Sequence, residues 1–150
     1  MLNQDYKEML STLLENEVSF LLVGAYAMAA HGFPRATADM DIFVKADKEN
    51  AHKVYNALVT FGAAVHDVKP MDFEKKGTIF QIGVAPRRID IINDIDGVEF
   101  DEADEDKVII ELEGLSVPVI SRQKLIINKR STGRDQDRID AEKLTGIKGL

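Results

Sequence analysis

The sequence predicts an α+β fold, a mixed β-sheet with flanking helices, in a single domain spanning residues 1–150. Two observations set the class. Helical stripes and apolar strand-like runs alternate through the first part of the chain, and "GTIFQIG" and "RRIDIIN" then follow one another around Ala85-Pro86. So short a link joins antiparallel strands in a hairpin or meander, which argues against a doubly wound parallel sheet. A helical tail beyond Ser121 adds a flanking layer.

The elements follow in order. Gln4 to Glu15 places Met9, Leu10, Leu13 and Leu14 at helical spacing, which predicts an amphipathic helix. "VSFLLVG" reads as a buried strand ending at Gly24. Alanine-rich "AYAMAAHG" suits a short helix closed by Gly32, with Pro34 preventing its continuation. "DMDIFVKA" is a second strand. Asp47 can cap a helix whose stripe is Val54, Ala57, Leu58 and Phe61, ended by Gly62. After the hairpin, acidic "DGVEFDEADED" predicts a solvated loop or short helix. "KVIIELEG" and "SVPVIS" read as strands, the second at a sheet edge because Pro118 cannot donate to a ladder. The tail "SRQKLIINKRSTGRDQDRIDAEKL" is helical and locally basic.

Composition narrows the function classes. The chain has no cysteine, so a disulfide framework and a thiolate metal site are excluded. No apolar stretch approaches the roughly 20 residues of a membrane span, and "MLNQDYKEML" lacks the basic start and apolar core of a secretory signal. These features predict a cytoplasmic protein with no membrane partner. A net charge of −7 disfavours nonspecific attachment to nucleic acid.

Asp39 and Asp41 interrupt the apolar run Met40, Ile42, Phe43, Val44. On a strand, positions i and i+2 share a side, so the two carboxylates face one way and need a cation or water between them. Asp90, between Ile89 and Ile91, repeats the pattern and is the natural third carboxylate. Gly24 ends one strand and begins a helix, where backbone N–H groups favour an anion such as phosphate. Hard divalent cations take oxygen ligands, so such carboxylates together with nucleotide phosphates would complete a Mg²⁺ or Mn²⁺ site. Taken singly, an Asp-x-Asp is more often a solvated strand face, and such a glycine only a turn.

The run "LLVGAYAMAAHGFPRATADMDIFV" resembles the signature of the DNA polymerase beta type nucleotidyltransferase superfamily. Its form is similar to the small prokaryotic minimal nucleotidyltransferases and to abortive-infection nucleotidyltransferase toxins, and "NKRSTGRDQDRIDAEKL" extends the likeness. The resemblance implies a nucleotidyltransferase-like fold and transfer of a nucleoside monophosphate from an NTP to an acceptor, with Asp39, Asp41 and Asp90 as the metal-holding catalytic acids. Ala25 stands where the family pattern has Gly or Ser, so a hydroxyl contact to phosphate is missing. Backbone donors remain, and Tyr26 is the candidate replacement.

Arg35 and Thr37 could touch phosphate or fix the loop by turn hydrogen bonds. Alternation puts Arg88 on the side of Asp90, for nucleotide or acceptor contact or for a strand-face salt bridge. Lys129 and Arg134 could neutralise a triphosphate, and the family likeness adds Asp137. Asp137 and Asp140 share a helix face and could equally form ordinary ion pairs. His31 suits a helix C-terminal cap. The acceptor stays open among RNA, protein and a small molecule, and a homodimer could supply its wall. The rival class is a catalytically weak module, antitoxin-like or regulatory, that binds a nucleotide or a protein.

Overall fold

The computed structural model describes residues 2–34 and 38–146. Its centre is a six-stranded mixed sheet of order β3-β4-β2-β1-β6-β5, built from β1 (Phe20–Val23), β2 (Met40–Val44), β3 (Ile79–Ile82), β4 (Ile89–Ile92), β5 (Val108–Leu112) and β6 (Leu115–Val119). The helices are α1 (Gln4–Glu15), α2 (Gly24–Ala30), α3 (Lys48–Phe61), α4 (Phe100–Glu105), α5 (Arg122–Ser131) and α6 (Asp135–Thr145), with a 3-10 turn at Pro70–Glu74. The α+β expectation holds: β3 and β4 form the antiparallel hairpin, and β2 pairs antiparallel with β1 and parallel with β4.

Local chemistry explains the boundaries. Asn3 caps α1 by accepting from the Tyr6 N–H at 2.9 Å, and Asp47 caps α3 by accepting from the Asn50 N–H at 2.7 Å. Gly62 ends α3 in the left-handed conformation. The apolar stripes of α1 and α3 are buried as Met9, Leu10, Leu13 and as Val54, Ala57, Leu58, and the two helices pack together. Phe43 and Phe100 join α4 to the core in an edge-to-face contact. His31 follows α2 as its C-cap, its ring bonded to the Ile120 carbonyl at 2.8 Å.

One expectation is corrected. β6 lies between β1 and β5, not at an edge. Pro118 is tolerated because β1 bonds instead to the Ile120 N–H, which donates to Leu22 O at 3.1 Å, with Val119 opposite Leu22. The helical tail is two helices, broken at Gly133 with its positive φ of 76°. The 3-10 turn, which buries Phe73, has no counterpart in the sequence reading.

Candidate active site

The parallel register of β2 and β4 sets Met40 opposite Ile89, Asp41 opposite Asp90 and Ile42 opposite Ile91. The four apolar residues of this set are buried in the core. Alternation therefore turns Asp41 and Asp90 together toward the other face, as neighbours about 5 Å apart across the ladder. Asp39 immediately precedes β2, and its Oδ1 accepts from the Arg88 backbone N–H at 2.9 Å. Tyr6 of α1 fixes this end of both strands. Its hydroxyl is shared between the Ala38 carbonyl at 2.9 Å and the Arg88 carbonyl at 3.2 Å.

The Arg88 guanidinium grips Asp90 with both arms, Nε to Oδ1 at 2.7 Å and Nη2 to Oδ2 at 3.0 Å. The same Nη2 lies 3.5 Å from Asp39 Oδ2. The strand-face salt bridge is thus realised, and one guanidinium serves two of the three acids. Burial, followed by the charge and hydrogen bonding of Asp90 and then the charge of Asp39, pushes the Asp41 carboxyl up to about 6, against a smaller opposing pull from Lys129.

Gly24 meets these acids from β1. Val23 pairs with Asp41, and Gly24 turns the chain into α2 with a φ of 64°. A Cβ on Gly24 would come within 2.3 Å of Asp41 Oδ2. The backbone therefore calls for glycine, and any added Cβ would have to displace the Asp41 carboxylate. Ala25 follows in the first turn of α2, which carries no acidic residue.

The tail closes the opposite wall. Lys129 on α5 is buried between two acids of α6, its Nζ 3.1 Å from Asp137 Oδ1 and 3.3 Å from Asp140 Oδ2. Asp137 also accepts from the Thr132 hydroxyl at 2.7 Å and from Arg134 Nε at 2.7 Å. Burial alone would raise the Asp137 carboxyl, but the Thr132 hydroxyl and the Lys129 ammonium outweigh it and hold it below its ordinary value. Arg134 keeps 74% of its side chain exposed.

Gly24, Asp41, Lys129, Arg134 and Asp137 line one cleft of about 230 Å³, with Asp94, Asp96, Asn128 and Thr132. Asp39, Asp90 and Arg88 adjoin it through the Asp41–Asp90 register and the ion pairs. Tyr26 does not line it: its ring meets Tyr6 edge-to-face, and it borders a separate hollow against β5. Arg35 and Thr37 lie outside the described residues. Sequence reasoning missed Thr132, Asp94 and Asp96. The last two continue, at i+4 and i+6, the alternation that marks Asp90, whereas Tyr6 carries no local signal at all.

The acids carry the oxygen donors that hard cations take. Asp39 and Asp90 share one guanidinium, and the Asp41 carboxyl is raised by burial first and then by the neighbouring charges of Asp90 and Asp39, which a divalent ion would offset. They are not gathered around a common point, however. Among the described residues, no group of three or more His, Cys, Asp or Glu side chains is arranged to hold a metal ion. Arg88 is the cation that pairs with Asp39 and Asp90.

The fold is that of nucleotidyltransferases. Three solved structures share it over nearly the whole chain. TM1012 from Thermotoga maritima, a candidate nucleotidyltransferase, is 18% identical with a TM-score of 0.61, covering 98% of this chain and 96% of its own. The lincosamide antibiotic adenylyltransferase LnuA, solved with lincomycin bound, is 15% identical with a TM-score of 0.59 and 98% of each chain covered. ANT(2")-Ia, solved with adenylyl-2"-tobramycin, is 14% identical with a TM-score of 0.58, covering 97% of this chain and 87% of its own. No protein-family model and no curated protein matches the chain.

Proposed function

We propose that this protein is a metal-dependent nucleotidyltransferase that moves a nucleoside monophosphate from an NTP to an acceptor hydroxyl. The observation that carries the reading is the pairing of Asp41 with Asp90 beside the Gly24 turn, in a cleft whose far wall bears Lys129 and Arg134. The acceptor oxygen attacks the α-phosphorus, the bond from that phosphorus to the β-phosphate bridging oxygen breaks, and pyrophosphate leaves with the electron pair. The acceptor proton passes to a carboxylate or to water. Asp39, Asp41 and Asp90 would hold Mg²⁺ or Mn²⁺, which supplies charge stabilisation at the attacking and leaving oxygens.

The chain's own residues divide the remaining work. Gly24 lets the backbone approach the phosphates, with the N–H groups of Gly24 and Ala25 as donors. Arg134 is exposed and reaches outward as the triphosphate's counter-charge, whereas Lys129 is held by two acids and sets the position of the wall. Two of the fold neighbours are solved with antibiotics, which favours a small-molecule hydroxyl as acceptor over RNA or protein. The test is incubation with each labelled NTP, Mg²⁺ or Mn²⁺ and panels of small-molecule, RNA and protein acceptors. Label transfer with stoichiometric pyrophosphate is expected, and nucleotide binding with neither would sink the reading.

A second reading, a nucleotide-binding module with little catalysis, is favoured by one feature: Arg88 already pairs with Asp90 and Asp39. The same incubation separates the two.

A further inference from the structure

β5 is an edge strand, and its outer side pairs with no other strand of the described sheet. Which of its backbone groups point outward follows from β6. The Ile120 N–H donates to Leu22 O, so alternation turns the N–H and C=O groups of Val119, Val117 and Leu115 toward β5. Their partners there are Val108, Ile110 and Leu112. Ile109 and Glu111, with Lys107 just before the strand, therefore direct their N–H and C=O groups away from the sheet. The edge is also apolar, with Ile109 54% and Val108 38% exposed, which makes it a template for a further strand. On the other face of the strand, Ile110 and Leu112 line a largely apolar hollow of about 350 Å³ with Leu2, Tyr26 and Ala30.

We propose that this edge binds a second copy of the chain, β5 against β5, antiparallel about a two-fold axis at Ile109. In such a contact residue i meets j and j meets i. This register matches the outward backbone groups and the side chains together. Ile109 meets Ile109 of the second copy and Lys107 meets Glu111 of the second copy, each as a hydrogen-bonded pair of opposite charge or of apolar side chains. On the other face Val108 meets Ile110 of the second copy, on the side of the hollow. A slip by one residue in either direction sets Ile109 against Lys107 or Glu111, apolar against charge. Both charged side chains have local partners, Lys107 with Asp104 at 2.8 Å and Glu111 with the Ser116 hydroxyl at 2.6 Å. An ammonium with several donors and a carboxylate with a second oxygen keep capacity for the added pair. The opposite edge, β3, has no such match, because Ile79, Phe80, Gln81 and Ile82 carry no charge to fix a register.

Sedimentation velocity over a concentration series up to about 0.5 mM tests the proposal, a range suited to a contact of modest area. The wild type should sediment increasingly as a dimer. Lys107→Glu sets acid against acid and Glu111→Lys sets ammonium against ammonium, so each alone should self-associate at least about tenfold more weakly. Both positions are exposed, and circular dichroism checks that the variants fold. Mixed in equal amounts, the two variants should dimerise again, because each edge supplies the charge that the other lacks. A wild type monomeric throughout the series would overturn the proposal and exclude a second copy as the occupant of this edge. A dimer that neither substitution weakens, or folded variants that stay apart when mixed, would overturn the β5 pairing and put the contact on another surface.

Discussion

Gly24 touches the carboxylate of Asp41 across the β1–β2 pair, so closely that an added Cβ would lie 2.3 Å from Oδ2 and 3.2 Å from Cγ. The turn and the acid therefore share one space. Gly24→Ala should lose stability by about 1 to 2 kcal/mol from the left-handed backbone alone, with a further loss from the displaced carboxylate. Urea melts read the first effect and NTP titration in Mg²⁺ reads the second. A folded variant with unchanged nucleotide affinity would remove Gly24 from the phosphate site.

Asp90 separates chemistry from binding. Asp41 faces the cleft beside Gly24, whereas Asp90 lies on a further strand, so Asp90→Asn should leave Mg²⁺-NTP affinity near normal. Transfer should fall by about a hundredfold or more, the scale of a lost transition-state charge contact. Rates on one acceptor decide it. Equal rates would reduce Asp90 to a partner for Arg88.

The raised Asp41 carboxyl makes stability depend on pH in a stated direction. Its folded value of about 6 exceeds the ordinary 3.8, so the folded chain binds the proton more tightly. Its stabilising contribution is complete below pH 3.8 and is lost as pH rises through 6. In the absence of divalent ions, Asp41→Asn should exceed the wild type in stability above pH 6 by on the order of 1 to 3 kcal/mol, with the gap closing toward pH 4. Denaturation curves of both proteins across that range test this. A gap independent of pH would contradict the assignment to Asp41.

Lys129 and Arg134 should part company. Lys129 is buried between Asp137 and Asp140, and Lys129→Met leaves those acids without their shared ammonium, costing about 3 to 5 kcal/mol. Arg134→Met removes a largely exposed partner and should cost under about 1 kcal/mol, yet weaken NTP binding. Melts and titrations on both variants distinguish wall from ligand contact. Normal NTP affinity in Arg134→Met would end its assignment to phosphate.

Legibility in the sequence followed the range of the interaction. Elements set by neighbours in the chain, such as α1, α3 with its Asp47 cap and Gly62 stop, and the β3–β4 hairpin, are readable because periodicity and capping are local. Asp90 was also accessible, since an acid between two isoleucines on a strand is anomalous by itself. What could not be read were consequences of register and packing. Alternation left Arg88 open between substrate contact and salt bridge, because only the in-register alignment of β2 with β4 brings Asp39 to it. Tyr26, expected to replace the hydroxyl that Ala25 lacks, packs edge-to-face on Tyr6 instead. Pro118 misled because the rule about edges concerns the N–H that a neighbour uses, and β1 uses another.

The Asp41–Asp90 pairing has a bearing on biosynthesis. β1, α2 and β2 are neighbours in sequence, so the glycine turn and Asp41 can form by short-range closure. Asp90 joins only after α3 and β3 have been threaded past, a long loop whose closure is slower and entropically dearer. A nascent chain emerging from the ribosome thus forms its glycine turn and the Asp39–Asp41 segment well before Asp90 joins them. Until β4 docks, the Asp41–Asp90 pair does not exist.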